Sequence, residues 1–436
     1  MEGKRMKQTE IGLIPDDWEV KKTGLLLKIG HGKDYKKLKT GDVPVFGTGG
    51  YMTSVDSFLY DGETVCIGRK GTIDKPFYHE GKIWTVDTLF YTYDFVNCIP
   101  KYIYYSFCLV DWLSMNEASG VPSLTSKNIE AIEISLPSTL AEQQRIAKAL
   151  SDVDAVISTI ELLIQKKKNI KQGTMQQLLT GKKRLPGFVT TSKFKQTEIG
   201  EIPEDWDIKK MGDLGTFKNG INKDADNFGF GSPFINLLDI FGKTHIDMDT
   251  QLGLINSSPY EQKIYSLNDG DVLFVRSSVK PEGVGLTTVI KEDLPNTVYS
   301  GFILRFRESK NLLTTSFKEY VFYNETFRQA LISSSTISAN TNINQASLRE
   351  LYLSFPTSKE EQTAIANVLS SMDKEIETLN TKLEKYRNLK TAMMQQLLTG
   401  KIRLSTSKTA ETEKQSKATE KVTEKVTEKV TEKGEK

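Results

Sequence analysis

The stretch "LPSTLAEQQRIAKALSDVDAVI", residues 136–157, begins a segment that runs through "MQQLLTGKKRL" to residue 185. The segment returns at residues 355–404, 219 residues later, as "FPTSKEEQTAIANVLSSMDKEI" through "MQQLLTGKIRL". A duplicated segment of this length indicates that the chain is built from two related halves.

Both copies carry the signals of one long helix. Each begins with a hydroxyl residue followed three positions later by glutamate, a capping box in which hydroxyl and carboxylate each accept a backbone N–H. These pairs are Thr139 with Glu142 and Ser358 with Glu361. Gly181 and Gly400 stand at the far ends, where a left-handed cap favours glycine. The 41 residues between the caps would form about 60 Å of helix.

An apolar residue recurs at alternating spacings of four and three along both predicted helices. We expect this seam to be buried where the two helices pack antiparallel, forming a structural spacer between two globular domains. The seam residues are Ile146, Leu150, Val153, Ile157, Ile160, Ile164, Ile365, Leu369, Met372, Ile376, Leu379 and Leu383.

A second repeat opens each half, as "KQTEIGLIPDDWEVKK" at 7–22 and "KQTEIGEIPEDWDIKK" at 195–210. We expect Trp18 and Trp206 in these opening blocks to anchor the domain that follows. The apolar residues expected to pack beside them are Ile11, Ile14, Ile199 and Ile202. The two repeats have different offsets, 188 and 219 residues, so the variable regions between them differ in length while their ends are kept.

The variable regions consist of short β-branched and aromatic runs separated by glycine, as in "GETVCIGRKGTI" at 62–73, a pattern typical of strands and turns. The predicted fold is therefore mixed α/β, with two globular domains separated by two long antiparallel helices in a pseudo-two-fold repeat. The expected segments are 1–135, the first domain with its opening block; 136–185, the first spacer helix; 186–354, the second domain; 355–404, the second spacer helix; and 405–436, a charged, low-complexity tail expected to be disordered.

Composition points to a soluble, cytoplasmic protein. Apolar residues make up 38% of the chain, and no apolar run is long enough to span a membrane. The three cysteines are odd in number and unpatterned, as in a reducing compartment. The three histidines stand in no ligand spacing with cysteine or carboxylate, so we expect no metal site.

The net charge of +2 is unevenly distributed. Residues 136–195 carry eleven Lys and Arg against four Asp and Glu, whereas residues 23–135 and 211–354 are slightly acidic. The basic segment is either a solvated helix face or a surface that contacts phosphate or a partner. The candidates for such contacts are Lys166, Lys167, Lys168, Lys171, Lys182, Lys183 and Arg184.

Motifs for catalysis are missing from the sequence. Asp16 and Glu19 resemble the acidic part of a nuclease signature, but they lie too close together to converge from adjacent strands on a metal ion. The second copy also rearranges its acidic residues. Neither a Walker loop nor the Asn/Asp-Pro-Pro-aromatic loop of amino-group methyltransferases occurs. We therefore expect a non-catalytic protein that binds no cofactor itself.

Three features together resemble the specificity subunit of a type I restriction-modification enzyme. They are the two opening blocks, the stretch "SGVPSLTSKNIEAIEISLPSTLAEQQRIA" at 119–147, and the twice-used "MQQLLTGK" that ends each helix. The resemblance covers residues 7–404 and implies two target-recognition domains, each of which reads one half of a split, asymmetric double-stranded DNA site. The helices between them would hold the spacer length.

The resemblance also implies partners. The subunit would bind two methyltransferase subunits that use S-adenosylmethionine, and restriction subunits would add ATP-dependent translocation and Mg-dependent cleavage. Two alternatives stay open from the sequence: a related system whose nuclease and methyltransferase are fused in one partner, and a coiled-coil scaffold that binds only proteins.

Candidates for reading bases come from turns and strand ends of the variable regions, because Arg and Lys commonly pair with guanine and Asn with adenine. Arg69 and Arg276 follow Gly62 and Gly270 at nearly the same spacing, so we expect them to be equivalent. The alternative is that both arginines pair with nearby acidic residues, and that the glycine-rich turn at 46–51 is only a tight hairpin. The candidates are Thr48, Gly49, Gly50, Arg69 and Lys70 in the first region, and Arg276, Ser277, Ser278, Lys280, Asn340 and Asn342 in the second.

Overall fold

The computed structural model describes residues 5–189 and 191–404, so the predicted tail at 405–436 lies outside the described residues. The chain forms two compact units. Within the described residues, the first unit consists of 5–160 and 382–404, and the second of 161–189 and 191–381. Each unit therefore contains one variable region together with part of both long helices, rather than ending where a helix begins.

The first unit is built around a six-stranded sheet in the order β4-β9-β7-β8-β5-β6, in which only β5 and β8 run parallel. Its elements are β1 Met6–Thr9, β2 Gly12–Pro15, β3 Glu19–Lys22, β4 Lys28–His31, β5 Thr40–Gly47, β6 Gly50–Val55, β7 Tyr60–Gly68, β8 Phe77–Thr85, β9 Leu89–Tyr93, α1 Pro100–Phe107, α2 Ser126–Glu130 and β10 Glu133–Leu136. The helix α3, Leu140–Leu178, begins in this unit and ends in the second.

The second unit has a five-stranded sheet in the order β14-β22-β18-β20-β16 and two three-stranded sheets, β17-β15-β21 and β19-β24-β23. Its elements are β11 Phe194–Thr197, β12 Gly200–Pro203, β13 Trp206–Lys210, α4 Met211–Leu214, β14 Gly215–Asn219, β15 Phe228–Ile235, α5 Leu237–Ile240, β16 His245–Ile246, β17 Gly253–Ile255, α6 Pro259–Ile264, β18 Val272–Val275, β19 Ser277–Ser278, β20 Thr287–Ile290, β21 Val298–Tyr299, β22 Ile303–Glu308, α7 Thr315–Val321, α8 Glu325–Ser333, β23 Thr336–Ile337, β24 Thr341–Asn342, α9 Gln345–Glu350 and β25 Tyr352–Pro356. The helix α10, Lys359–Leu397, begins here and ends in the first unit.

The opening blocks form matching hairpins, β1 with β2 and β11 with β12. Trp18 and Trp206, just beyond them, are 0% and 1% exposed in the cores of their units, which confirms the predicted anchors. The prediction that Ile11 packs beside Trp18 is wrong, because Ile11 lies at the hairpin tip and is 42% exposed. Its equivalent Ile199 is half-buried, and Ile14 and Ile202 are buried as expected.

Each long helix has 39 residues. Gly181 and Gly400 follow the helix ends with φ angles of 70° and 69°, which confirms the left-handed caps. In the second unit Lys167 of α3 pairs with Glu375 of α10, while Lys171, one turn further along α3, pairs with the earlier residue Asp373. The two helix segments therefore run antiparallel there.

Most of the predicted seam is buried, but its burial is shared with the globular cores. Ile146 and Leu150 pack in the core of the first unit, and Ile365 and Leu369 in that of the second. Each of these cores also contains residues from the end of the other long helix, Met394 and Leu397 of α10 in the first unit and Leu178 of α3 in the second. Ile157, Ile160, Ile164 and Leu383 are buried too, and Val153, Met372, Ile376 and Leu379 are half-buried.

None of the helices in the described ranges is long and apolar enough to cross a membrane.

Candidate nucleic-acid interface

Arg69 lies in the turn that follows β7 in the first unit. Its backbone N–H donates to the carbonyl of Thr88 at 2.8 Å, and its guanidinium Nη1 donates to the carbonyl of Asp87 at 3.2 Å. The guanidinium carbon also lies 5.9 Å from the centre of the Phe90 ring, within cation–π range. Arg69 thus braces the loop before β9 through backbone atoms.

Arg276 makes the equivalent two hydrogen bonds after β18 in the second unit. Its N–H donates to the carbonyl of Phe302 at 2.8 Å and its Nη1 to the carbonyl of Gly301 at 3.3 Å, just before β22. The predicted equivalence of the two arginines is therefore confirmed. The alternative of carboxylate pairing is wrong, since the ion pairs found within residues 5–189 and 191–404 include neither Arg69 nor Arg276.

A second segment pairs with each arginine turn in the same way. The carbonyl of Arg69 accepts from the N–H of Leu124 at 2.9 Å, and that of Arg276 from Ile343 at 3.0 Å. The following residues form equivalent antiparallel bridges, Lys70 with Ser123 and Ser277 with Asn342. Both units therefore present the same backbone arrangement at this edge, and their side chains differ.

In the first unit the glycine-rich turn lies beside the Arg69 turn. Gly47 of β5 pairs with Gly50 of β6, and Gly50 has a φ of 105°, so residues 48–50 form a tight hairpin as the alternative interpretation expected. The hydroxyl of Thr48 lies 3.5 Å from where a Cβ on Gly71 would stand. The structure therefore brings the Thr48–Gly50 candidates together with Arg69 and Lys70.

A lysine-rich loop, residues 32–39, joins this face and was not predicted from the sequence. The N–H of Lys33 donates to the carbonyl of Thr85 at 2.8 Å, and the indole N–H of Trp84 donates to the carbonyl of Lys33 at 2.8 Å. Four exposed side chains extend from the loop: Lys33, Lys36, Lys37 and Lys39. The basic run is visible in the sequence as "KDYKKLK", residues 33–39. The net charge summed over residues 23–135 is slightly acidic, and this sum conceals the run.

In the second unit four candidates line one concave surface of about 640 Å³. They are Ser277, Ser278, Lys280 and Asn340. Asn342 lies at the edge of this surface, where it pairs with Ser277. Arg276 immediately precedes Ser277 in the chain. The remaining wall is largely apolar and includes Phe241, Val279 and Phe302. This apolar wall was not predicted, because its residues are far apart in sequence.

The basic candidates of the helix region divide into two groups. Lys166, Lys168, Lys182 and Lys183 are exposed. Lys167 and Lys171 are instead engaged by Glu375 and Asp373. Arg184 is not at the surface, since only 8% of its side chain is exposed and its guanidinium is held by two carboxylates. Much of the basic charge is thus neutralised within the chain.

Each unit contains an arginine clamp, in which the arginine that follows a long helix binds two carboxylates. Arg184 donates to Asp205 at 2.8 Å and to Glu361 at 2.6 Å in the second unit. Arg403 donates to Asp17 at 2.8 Å and to Glu142 at 2.6 Å in the first. The carboxylate of Glu142, and then that of Asp17, raise the pKa of Arg403.

Only half of each predicted capping box forms, because the glutamate side chain takes part in an arginine clamp instead. The hydroxyls of Thr139 and Ser358 do accept the N–H of Glu142 and Glu361, at 3.3 and 3.2 Å. The glutamate carboxylates, however, bind the arginine that follows the other long helix. A two-pronged, charge-assisted contact is stronger than a single bond to a backbone N–H, so the arginine displaces the capping interaction.

A further pair of contacts ties each variable region to the helices. Tyr105 donates to Asp154 at 2.7 Å, and Lys390 pairs with the same carboxylate at 2.7 Å. In the second unit Tyr320 donates to Asp373 at 3.0 Å, and Lys171 pairs with it. Each triad consists of a tyrosine of the variable region and an aspartate and a lysine of the long helices. Asp154 and Asp373 are separated by the repeat offset of 219 residues, and so are Lys171 and Lys390. This repetition is the sequence signal from which the triads could have been predicted.

The residues of the nuclease-like signature show no such organisation. The hydrogen bond from Lys21 holds the pKa of the Glu19 carboxyl below its usual range, and the side chain of Glu19 is exposed. In the part of the chain that the structure describes, no group of three or more His, Cys, Asp and Glu residues is placed to hold a metal ion.

This fold defines a class of internally duplicated α/β proteins. Members of this class have equivalent loop faces in their two units and a pair of long antiparallel helices. The chain belongs to the family of the type I restriction modification DNA specificity domain, whose sequence profile matches residues 15–172 and again residues 203–385. The resemblance found in the sequence is therefore confirmed.

Proteins described as specificity subunits of type I restriction enzymes match most of the chain. The type I restriction enzyme MjaVIII specificity subunit of Methanocaldococcus jannaschii is 27% identical, with 90% of this chain and 94% of that protein covered. The EcoKI specificity subunit of Escherichia coli is 23% identical over 66% of this chain and 62% of its own length. The crystal structure of the S subunit from M. genitalium has a TM-score of 0.55 at 13% identity, over 91% of this chain and 98% of that one, which shows the shared fold.

Proposed function

We propose that this chain is the non-catalytic DNA-specificity subunit of a type I restriction-modification enzyme. Each unit reads one part of a bipartite, asymmetric site in double-stranded DNA. The first reads with the turns that carry Thr48–Gly50 and Arg69–Lys70, and the second with the concave surface beside Arg276.

The equivalence of the two arginine turns is the observation that carries this proposal. The same backbone arrangement, braced by Arg69 or Arg276, supports a cationic face in one unit and an apolar, concave face in the other. Variable loops on a constant scaffold are the means by which related domains recognise different ligands. Two such faces in one chain suit a split site whose halves differ in sequence.

Phosphate contacts position a protein on DNA, whereas contacts to base edges specify the sequence. The lysine-rich loop of the first unit supplies the phosphate contacts of that half. The exposed Lys166, Lys168, Lys182 and Lys183 are further candidates for phosphate or partner contact. Because both variable regions are acidic on average, the affinity of this chain alone is low and is completed by its partners.

Two methyltransferase subunits dock on the repeated helices and opening blocks, and they supply methyl transfer from S-adenosylmethionine. Restriction subunits supply ATP-dependent translocation and Mg-dependent cleavage. The role of this chain is to choose where the partners act. Each helix is about 60 Å long, and half-sites on one face of B-DNA recur about every 34–36 Å, so helix length sets the number of base pairs left unread.

The test is a selection of bound sequences from random duplex DNA by the complex of this chain with its methyltransferase. The parent chain should select a split motif. Arg69→Ala should relax only one half of the motif and Arg276→Ala only the other, each by about 1–3 kcal/mol at the affected position. Lys28→Met, a change at an exposed ion pair outside the opening blocks and the long helices, serves as the control.

A complex that assembles normally but selects no motif would support the scaffold alternative and overturn the proposal. Relaxation of the same half by both arginine variants would overturn it as well. A related system with a fused nuclease and methyltransferase would give the same selection, and the mass of the co-purified partner distinguishes it.

A further inference from the structure

The concave surface of the second unit is lined by exposed apolar side chains, which is unusual for a face that meets DNA. Among its lining residues, Val279 is 81% exposed, Phe302 56% and Phe241 39%. Three large apolar side chains around one opening form an exposed apolar patch, and such patches commonly mark binding sites.

Only one group on the major-groove edges of the bases is apolar. Guanine, cytosine and adenine present donors and acceptors there, whereas thymine adds its C5-methyl group. An apolar wall aimed at base edges therefore has one chemically matched partner in DNA. The volume of about 640 Å³ is open and much larger than a methyl group, so the surface suits the edge of a base pair.

Asn340 provides a second, independent indication. It lines the same surface, and its backbone carbonyl accepts from Ser338 at 3.1 Å and from the side chain of Asn342 at 3.0 Å. Its side-chain amide makes no hydrogen bond within the described ranges and is free to meet a ligand. An amide side chain is the usual partner of the adenine N6 and N7 atoms.

We propose that this surface reads an A·T base pair through the major groove. The thymine methyl packs against Val279 and Phe302, and the amide of Asn340 bonds the adenine edge. This inference rests on the proposed function and assigns a base pair to one half of the split site. The equivalent face of the first unit carries Arg69, Lys70 and the Thr48–Gly50 turn.

The experiment uses the complex of the full chain with its methyltransferase and the site selected above. Each thymine of the half-site read by the second unit is replaced singly by deoxyuridine, which removes only the methyl group. One replacement should weaken binding about fourfold, the value expected for exposing one buried methyl group. Deoxyuridine in the unread spacer between the half-sites serves as the internal control.

Variants connect this effect to the surface. Val279→Ser and Phe302→Ser should bind the parent site more weakly but lose the difference between thymine and deoxyuridine at that position. Asn340→Ala should accept other base pairs there within about tenfold. Met248→Ser, in the same unit and also exposed, lies outside the surface and should retain the full difference. Unchanged hydrogen exchange in residues 161–381 outside the surface shows that each variant is folded.

Failure of this inference is separable from failure of the proposed function. If a split site is selected but its second half contains no thymine, or tolerates deoxyuridine at every thymine, the A·T assignment is overturned while the proposed function stands. If Val279→Ser and Phe302→Ser release the methyltransferase, the surface docks protein and the assignment is overturned as well. If no split site is selected, the proposed function itself fails.

Discussion

Replacing Arg403 with methionine should destabilise the first unit alone, because it leaves a buried carboxylate without its partner. The side chain of Glu142 is 4% exposed, and its hydrogen bonds among the described residues are those with Arg403. Breaking a buried ion pair by removing one partner costs about 3–5 kcal/mol. Asp17, the other partner, is 53% exposed, so its loss adds less than about 1 kcal/mol.

Hydrogen exchange read by mass spectrometry is the suitable assay, because it reports opening free energies separately for segments of each unit. In Arg403→Met, exchange should accelerate in residues 5–160 and 382–404 and stay unchanged in residues 161–381. Arg184→Met should give the reverse pattern, since it unpairs Glu361, which has 3% of its side chain exposed. Lys148→Met is the matched control, because its exposed pair with Asp152 contributes only about 0.3–0.5 kcal/mol.

A double variant separates the unpaired charge from the lost contact. Replacing a buried ion pair by apolar residues is often neutral, so adding Glu142→Leu to Arg403→Met should recover most of the loss. The reasoning is refuted if the single variant costs less than about 1 kcal/mol, if both units loosen equally, or if the double variant is no more stable than the single one.

Three further predictions follow from charge and helix length. Changing Lys33, Lys36 and Lys37 of the lysine-rich loop to glutamine should reduce the slope of log K against log salt by up to about 2.7, measured by titrating the complex with DNA; a slope equal to that of the parent would exclude these phosphate contacts. Inserting seven residues into α3 after Ile160 and into α10 after Thr381 keeps the heptad register and adds about 10.5 Å of helix, so the methylated motif should gain roughly three unread base pairs at 3.4 Å each; an unchanged spacer in methylation sequencing would refute the spacer role. The hydrogen bond from Lys223, followed by one from the Ser258 backbone, lowers the pKa of Glu261 to about 2. A depressed carboxyl pKa stabilises the fold above its unfolded value and loses this contribution as pH falls. Denaturation of the parent and of Glu261→Gln should therefore differ above about pH 4.5 and converge between about pH 4.5 and 2, and a difference that persists at pH 2 would contradict the assignment.

The repeats made the helices predictable, and a spacing from glycine that the two variable regions share made the equivalent arginines predictable. An apolar seam with alternating spacings of four and three, a hydroxyl before it and a glycine after it define a helix through local rules. The structure follows these rules at both copies. The equivalence of Arg69 and Arg276 was predictable because both follow a glycine at nearly the same spacing.

The contacts that local rules did not predict join distant parts of the chain. Glu142 and Arg403 are 261 residues apart, and a capping rule that considers four neighbouring residues cannot anticipate such a partner. Ile11 was assigned to the core by its repeat, although the hairpin turn places it at the tip. The apolar wall of Phe241, Val279 and Phe302 depends on three loops meeting, which no single stretch of sequence indicates.

Sequencing of methylated adenines in cells that carry this chain with its methyltransferase tests the central claim most directly. The measurement is made on the parent and on a variant in which residues 23–135 are exchanged for the corresponding region of another family member. Two independent readers on a fixed spacer predict a split, asymmetric motif in which the exchange alters one half and leaves the other half and the spacer unchanged. A motif that changes in both halves, or no methylated motif while the chain still binds the methyltransferase, would contradict the account.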